Sequence, residues 1–186
     1  MAVALARPKE KLITGDELLR MGDIGPCELI DGRIIHMTPT GEEHGMIESN
    51  LVHDLRAFAR QHQRGRVSSG EVGIYIRRKP DRIRAADVAF VSAGRLTGPS
   101  KGFLDVAPEL VVEIMSPDDR WQAMRDKLAD YFSIGVERVW VVEPQSRKVL
   151  VYSSTTQVAE LDEDDTLRGE GALEGFAMPV ADLFVG

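Results

Sequence analysis

The chain is poor in the residues that cross-link a fold or bind soft metals. It has one cysteine, Cys27, among 186 residues. No intramolecular disulfide is possible, and a zinc site built on cysteines is excluded. A reducing cytoplasm is the expected setting. Apolar runs such as Val139-Trp140-Val141-Val142 are far shorter than the roughly 20 residues of a membrane-spanning helix. No membrane is therefore expected among its partners. The N-terminus lacks the basic start and long apolar core of a secretory signal. No repeat, low-complexity stretch or linker divides the chain. What is there is ordinary for a globular protein, 43% hydrophobic and 28% charged, and long enough to bury one full core. The expectation is a loose tail over residues 1–10 and a single domain over 11–186.

The formal net charge is −7 and the pI about 5.2. That balance argues against a protein that coats nucleic acid indiscriminately, but it leaves room for a local basic groove. The charge is uneven. Arg56 to Arg84 carries nine basic residues and two acids, whereas Ser153 to Gly186 carries eight acids and one base. The basic stretch either faces a polyanion, displacing a counterion at each phosphate contact, or forms a solvated helix face and loop. Both readings stand on the sequence alone.

Local signals outline the elements. Thr14-Gly15-Asp16-Glu17 has the form of a capping box opening a short helix that stops near Gly22. Asp31-Gly32 between Cys27–Ile30 and Arg33–Met37 predicts a β-hairpin. Thr40-Gly41-Glu42-Glu43 suggests a second capping box, and Ile47, Leu51, Leu55, Phe58 and Ala59 form a helical stripe after it. Strands are predicted at 71–76, 83–91 and 110–115, the first two joined across Lys79-Pro80-Asp81. Ser116-Pro117 is then expected to open a helix, with its apolar stripe at Trp121, Met124, Leu128, Tyr131 and Phe132 and its end at Gly135. A hairpin over 138–152, a weaker strand over 157–161 and a turn of helix from Pro179 complete the chain. This order predicts a mixed sheet flanked by helices.

Two acids interrupt apolar strands, Asp87 in Ala85–Val91 and Glu113 in Leu110–Met115. A near-continuous apolar run marks a strand covered on both faces. A charge there costs several kcal/mol or more unless it is paired, protonated or bound to a metal. With Glu71 on the preceding strand, the set suggests a converging acidic site rather than isolated ion pairs. Mg²⁺ fits such oxygen donors, with Mn²⁺ as its substitute, and a two-carboxylate site can promote attack of water on a phosphodiester. Lys127, beside the apolar stripe of the next helix, is placed to stabilise developing negative charge. On sequence physics alone the better reading is an ordinary lysine whose stem lies along apolar surface.

These segments together resemble a known family. Cys27-Glu28-Leu29-Ile30-Asp31-Gly32, Arg84–Val91, Ala107–Pro117, Lys127–Tyr131 and Gly135–Pro144 look like the Uma-type restriction endonuclease family of the PD-(D/E)xK nuclease superfamily. The resemblance spans roughly residues 12–184. It implies an α/β (α+β mixed) restriction-endonuclease-like core: a central mixed β-sheet flanked by helices, with an N-terminal helix and β-hairpin extension. It also implies Mg²⁺-dependent cleavage of DNA. Carried over by position, Asp87 and Glu113 match the metal-binding acids and Glu71 an additional acid. Lys127 matches a catalytic lysine moved onto the following helix, since Met115 stands at the usual lysine position. His44 falls where the family often has histidine. Ala86 replaces a structural proline, Glu143 an aspartate and His36 an acid.

The expected function is a metal-dependent endodeoxyribonuclease in which Arg77, Arg78, Lys79, Arg82 and Arg84 contact the phosphate backbone. The fold alone does not establish activity. The alternatives are a catalytically inactive nuclease-fold binding module acting through a protein partner and a purely structural assembly protein. A homodimer is expected, because cutting two strands takes two sites.

Overall fold

The computed structural model describes residues 11–96, 98 and 101–186; the expected tail over 1–10 lies outside them. An eight-stranded mixed sheet is covered by helices on both faces, as its near-continuous apolar strands require. Its elements run α1 (Gly15–Arg20), β1 (Cys27–Ile30), β2 (Arg33–His36), α2 (Glu42–Gln61), β3 (Gly65–Arg77), β4 (Arg82–Ser92), β5 (Leu110–Ile114), α3 (Trp121–Ser133), β6 (Arg138–Glu143), β7 (Lys148–Tyr152) and β8 (Val158–Leu161). The spatial order is β2-β1-β4-β5-β6-β7-β8, with β3 also paired to β4. All pairs are antiparallel except β5 with β6. Parallel neighbours need a crossover, and α3 supplies it.

Successive residues of β5 and β6 point to opposite faces. Leu110, Val112, Ile114, Trp140 and Val142 pack with Ile47, Leu51 and Leu55 of α2. Val111, Val139 and Val141 pack with Met124, Leu128 and Tyr131 of α3. The capping box at Thr14 forms as predicted. The Asp31-Gly32 turn has positive φ at both residues, 53° and 77°, and sets the register Ile30↔Arg33.

Two predicted helix starts are corrected. The cap of α2 is Gly41, with no side-chain bond, so Thr40 lies one residue outside the helix and no capping box forms. Ser116-Pro117 does not open α3. The Asp119 N–H donates to the Ser116 carbonyl at 3.0 Å and the Asp119 carboxylate accepts from the Ser116 N–H at 2.7 Å. That closes a separate turn, and α3 begins at Trp121.

The acidic C-terminal segment is part of the core rather than a solvated tail. A ribbon of β9 (Thr166–Arg168) and β10 (Ala177–Pro179) leads into a 3₁₀ turn over Val180–Phe184. Leu167, Phe176, Met178, Val180 and Leu183 complete the apolar layer over α2. The Asn50 amide donates to the carbonyls of Leu183 and Val185 at 3.1 and 2.8 Å, pinning the segment to the helix. Four of its acids form exposed ion pairs with the sheet's basic residues: Glu170 with Arg138, Glu163 with Arg147, and Glu160 and Asp162 with Lys148.

Trp140 lies where sheet and C-terminal cover meet, 2% exposed and stacked on Phe176 with ring centroids 6.0 Å apart. Trp140→Ala is expected to destabilise the protein by about 3–5 kcal/mol, read as the shift in a urea unfolding curve.

Candidate active site

One edge of β4 pairs with β3 along its length, from Gly65↔Ser92 to Arg77↔Arg82. The opposite edge changes partner. Phe90, Ala89 and Val88 pair with β5, and Ile83 pairs with Leu29 of β1. Between these pairings the neighbours part, and side chains replace the missing ladder. The Asp87 carboxylate accepts the Ile114 N–H at 2.6 Å through Oδ2. Glu28 Oε1 accepts the Ala85 N–H at 3.2 Å. Lys127 Nζ donates to the Ala85 carbonyl at 3.2 Å. Asp87 and Glu113 are therefore brought to one fork in the sheet, and Lys127 reaches it from α3.

The fork is deformed on the β3 side as well. The pairing of β3 with β4 slips between Ser69↔Val88 and Val72↔Ala86. Two residues, Gly70 and Glu71, thus lie opposite Asp87 alone, which is a β-bulge of the kind that re-aims side chains. Their φ values are 82° and 57°, and the left-handed region is costly for a glutamate. The bulge turns a backbone N–H out of the ladder: Gly70 donates at 2.9 Å to Glu48 Oε1 of α2. Glu71 sits in the field of Asp87. Its burial raises its pKa, and the Asp87 charge pushes the same way.

Glu113 is 3% exposed and held from two sides. Lys127 Nζ donates to Oε2 at 2.7 Å and the Tyr131 hydroxyl donates to Oε1. Burial pushes the Glu113 carboxyl up to about 7; the Lys127 charge pulls it down and the Asp87 charge pushes it further up. Burial opposes the charge on Lys127, but Glu113 and then Glu28 outweigh it and hold the ammonium above its ordinary value. His44 Nε2 lies 3.3 Å from Asp87 Oδ2. Burial disfavours its charge, yet the hydrogen bond and charge of Asp87, with Glu48 and Asp119, raise its pKa. Glu48 is raised by burial and by Asp87.

Glu48 and Tyr131 were not singled out as site residues in the sequence. Glu48 stands four residues after His44, and Tyr131 four after Lys127, so each shares a helix face with a residue that was. That spacing was the available signal. His44, which falls where the resembled family often has histidine, is in direct contact with Asp87.

Four of the five basic residues expected to contact phosphate are paired to acids. Arg82 and Arg84 face acids, not solvent. Arg82 bonds Asp31 at 2.8 Å and Asp130 at 2.9 Å; Arg84, 8% exposed, bonds Asp130 and Glu28, each at 2.7 Å. Arg77 pairs with Asp31 and Arg78 with Asp105. Only Lys79 of the five expected phosphate contacts is exposed with no ion pair among the described residues. With Lys127 3.6 Å from Glu28, the charges alternate from Asp31 through Arg82, Asp130, Arg84, Glu28 and Lys127 to Glu113.

Hard oxygen donors crowd this fork, but among the described residues no three His, Cys, Asp or Glu side chains are grouped to hold a metal ion. Asp87 and Glu113 fit a cation that keeps several waters, as Mg²⁺ does. Burial and the negative charge of Asp87 raise Glu48, Glu71 and Glu113 together.

A family model described as "Putative restriction endonuclease", Uma2, matches residues 16–181. The chain belongs to the Uma2 family. It is also similar to a solved structure from Anabaena variabilis ATCC 29413, described as a "putative nuclease belonging to DUF820". The identity is 22%, 92% of this chain and 97% of that chain are covered, and the TM-score is 0.79, so the two share a fold. A search of curated proteins finds no match.

A carboxyl group whose folded pKa is raised favours the fold while protonated and loses that contribution as pH climbs. For Glu113 the loss falls between the unfolded value near 4.5 and about 7, at a limiting slope of about 1.4 kcal/mol per pH unit for one proton. Glu48 and Glu71 act in the same direction. Urea midpoints measured from pH 4.5 to 7.5 should fall with pH in the wild type and fall less steeply in Glu113→Gln.

Proposed function

We propose that this Uma2 protein is a Mg²⁺-dependent DNA endonuclease acting at the β4 fork. The observation that carries the reading is the contact of a buried acid with a cation beside a second acid. Glu113 is bonded to Lys127 at 2.7 Å, and the charge of Asp87 is felt at both. Asp87 and Glu113 would hold the metal, with Glu71 assisting from the bulge. When bound, Mg²⁺ supplies Lewis-acid polarisation of the phosphodiester and a more acidic water. Lys127, charged and anchored by Glu113 and Glu28, is positioned to stabilise the negative charge that develops on the phosphorane-like transition state. Tyr131 fixes the orientation of Glu113 by its hydroxyl bond. His44 orients Asp87 and offsets its charge. A dimer would place two such sites on opposite strands.

A second reading, an inactive binding module, draws support from one observation: Glu113 is already engaged at both oxygens by Lys127 and Tyr131. Two measurements separate them. Calorimetric titration of Mn²⁺ should show saturable binding to the wild type and none to Asp87→Asn. Nicking of supercoiled plasmid with Mg²⁺ should fall by about 10²–10³-fold in Lys127→Ala, the scale for removing one charge-stabilising donor. Equal Mn²⁺ binding by Asp87→Asn would overturn the metal site. Plasmid binding without cleavage would leave the second reading.

A further inference from the structure

A groove of about 650 Å³ runs along the exposed side of α2, walled by Glu48, Ser49, His53, Arg56 and Arg60 and by Ser69 of β3. Ser49, His53, Arg56 and Arg60 recur every three or four positions and so lie on one face, with Glu48 beside Ser49. The near end of the groove meets the candidate active site. Glu48 accepts the Gly70 N–H of the bulge, Ser69 immediately precedes the bulge, and the charge on Glu48 is coupled to Asp87 and His44. The far end carries Arg56 and Arg60, one helical turn apart. Both are exposed and neither makes an ion pair among the described residues. Arg77, Arg78, Arg82 and Arg84, by contrast, are all paired to acids.

We infer that this groove carries the sugar-phosphate backbone of duplex DNA away from the fork, with Arg56 and Arg60 as phosphate contacts on one side of the cleaved bond. The inference rests on the nuclease reading above and adds the path of the substrate. At 1.5 Å per residue, Arg56 and Arg60 stand about 12 and 18 Å along the helix from Glu48. A duplex advances about 3.4 Å per nucleotide of one strand, so the two arginines meet phosphates roughly three to five nucleotides from the reacting one. Ser49 and His53 supply further donors of the kind that fix register on a backbone without reading sequence. Contacts of this type make binding steeply dependent on salt and largely independent of base sequence.

The test is fluorescence anisotropy of a labelled DNA duplex with the intact protein, in Ca²⁺ so that binding is read apart from cleavage, across a salt series. Arg56→Ala/Arg60→Ala is expected to bind at least about tenfold more weakly at low salt, and its log–log salt slope should be shallower by about two, one for each lost phosphate contact. Its urea midpoint should stay within error of the wild type, because both side chains are exposed. Arg20→Ala/Arg125→Ala, which removes the same charge elsewhere on the surface, should change neither quantity. Wild-type affinity and slope in Arg56→Ala/Arg60→Ala, or an equal loss in the control pair, would overturn the groove while leaving nuclease activity standing. A wild-type protein that shows neither salt-dependent DNA binding nor plasmid nicking would overturn the nuclease reading and the groove with it.

Discussion

A buried strand that changes neighbour along one edge leaves backbone groups that must find partners, because an unpaired N–H or carbonyl away from water costs as much as a lost hydrogen bond. In this protein β4 is that strand. At the fork between β1 and β5 the partners are the side chains of Asp87, Glu28 and Lys127. Polar groups inside apolar strands are therefore a condition of the sheet's topology before they are anything chemical. The same geometry opens the sheet where those groups converge. Structure and candidate chemistry draw on one set of atoms: the carboxylate that closes the gap at Ile114 is also the one facing His44 and the bulge.

Electrostatics follow from that placement. Burial and the charge of Asp87 drive the surrounding acids toward protonation; among the described residues Lys127 contacts Glu113 and His44 contacts Asp87 at the fork. The arginines nearest in sequence do not relieve the strain. They are absorbed into pairs with Asp31, Asp130 and Glu28 that hold the first hairpin and α3 against β4. Positive surface for a polyanion lies instead on α2, on the other side of the sheet from α3. The uneven charge of the sequence thus sorts into two uses, scaffolding at residues 77–84 and an open groove at residues 56–60.

Much of the fold was legible because its signals are local. Near-continuous apolar runs in Leu110–Ile114 and Arg138–Glu143 gave buried strands, the helical stripes gave α2 and α3, and Asp31-Gly32 gave the hairpin. The interruption of apolar strands by Asp87 and Glu113 pointed to the fork's acids, while Lys127 came from the family resemblance rather than from spacing. What escaped depends on distant partners. Thr40 has the right chemistry for a cap but stands one residue too early. Ser116 is taken by Asp119 before a helix can start. The bulge at Gly70-Glu71 exists only relative to the register of β4, and Glu48 becomes a site residue only because that bulge offers it an N–H. The fate of Arg82 and Arg84 turns on Asp130, a residue some 46 positions away, and net charge along the chain carries no trace of it.

The alternating chain from Asp31 to Glu113 also sets where the protein can be cut. Removing the N-terminal helix and hairpin would take Glu28 and Asp31 with it, leaving Arg82 and Arg84 short of carboxylates and Lys127 with one anchor fewer. Stranded, partly buried cations are far more damaging than the loss of a peripheral hairpin's packing. The hairpin looks like an appendage in the order of elements, but electrically it is the outer terminal of the ion-pair chain that supports Lys127. A shortened core that begins at α2 would keep every candidate catalytic side chain and lose the charge balance that holds them in place.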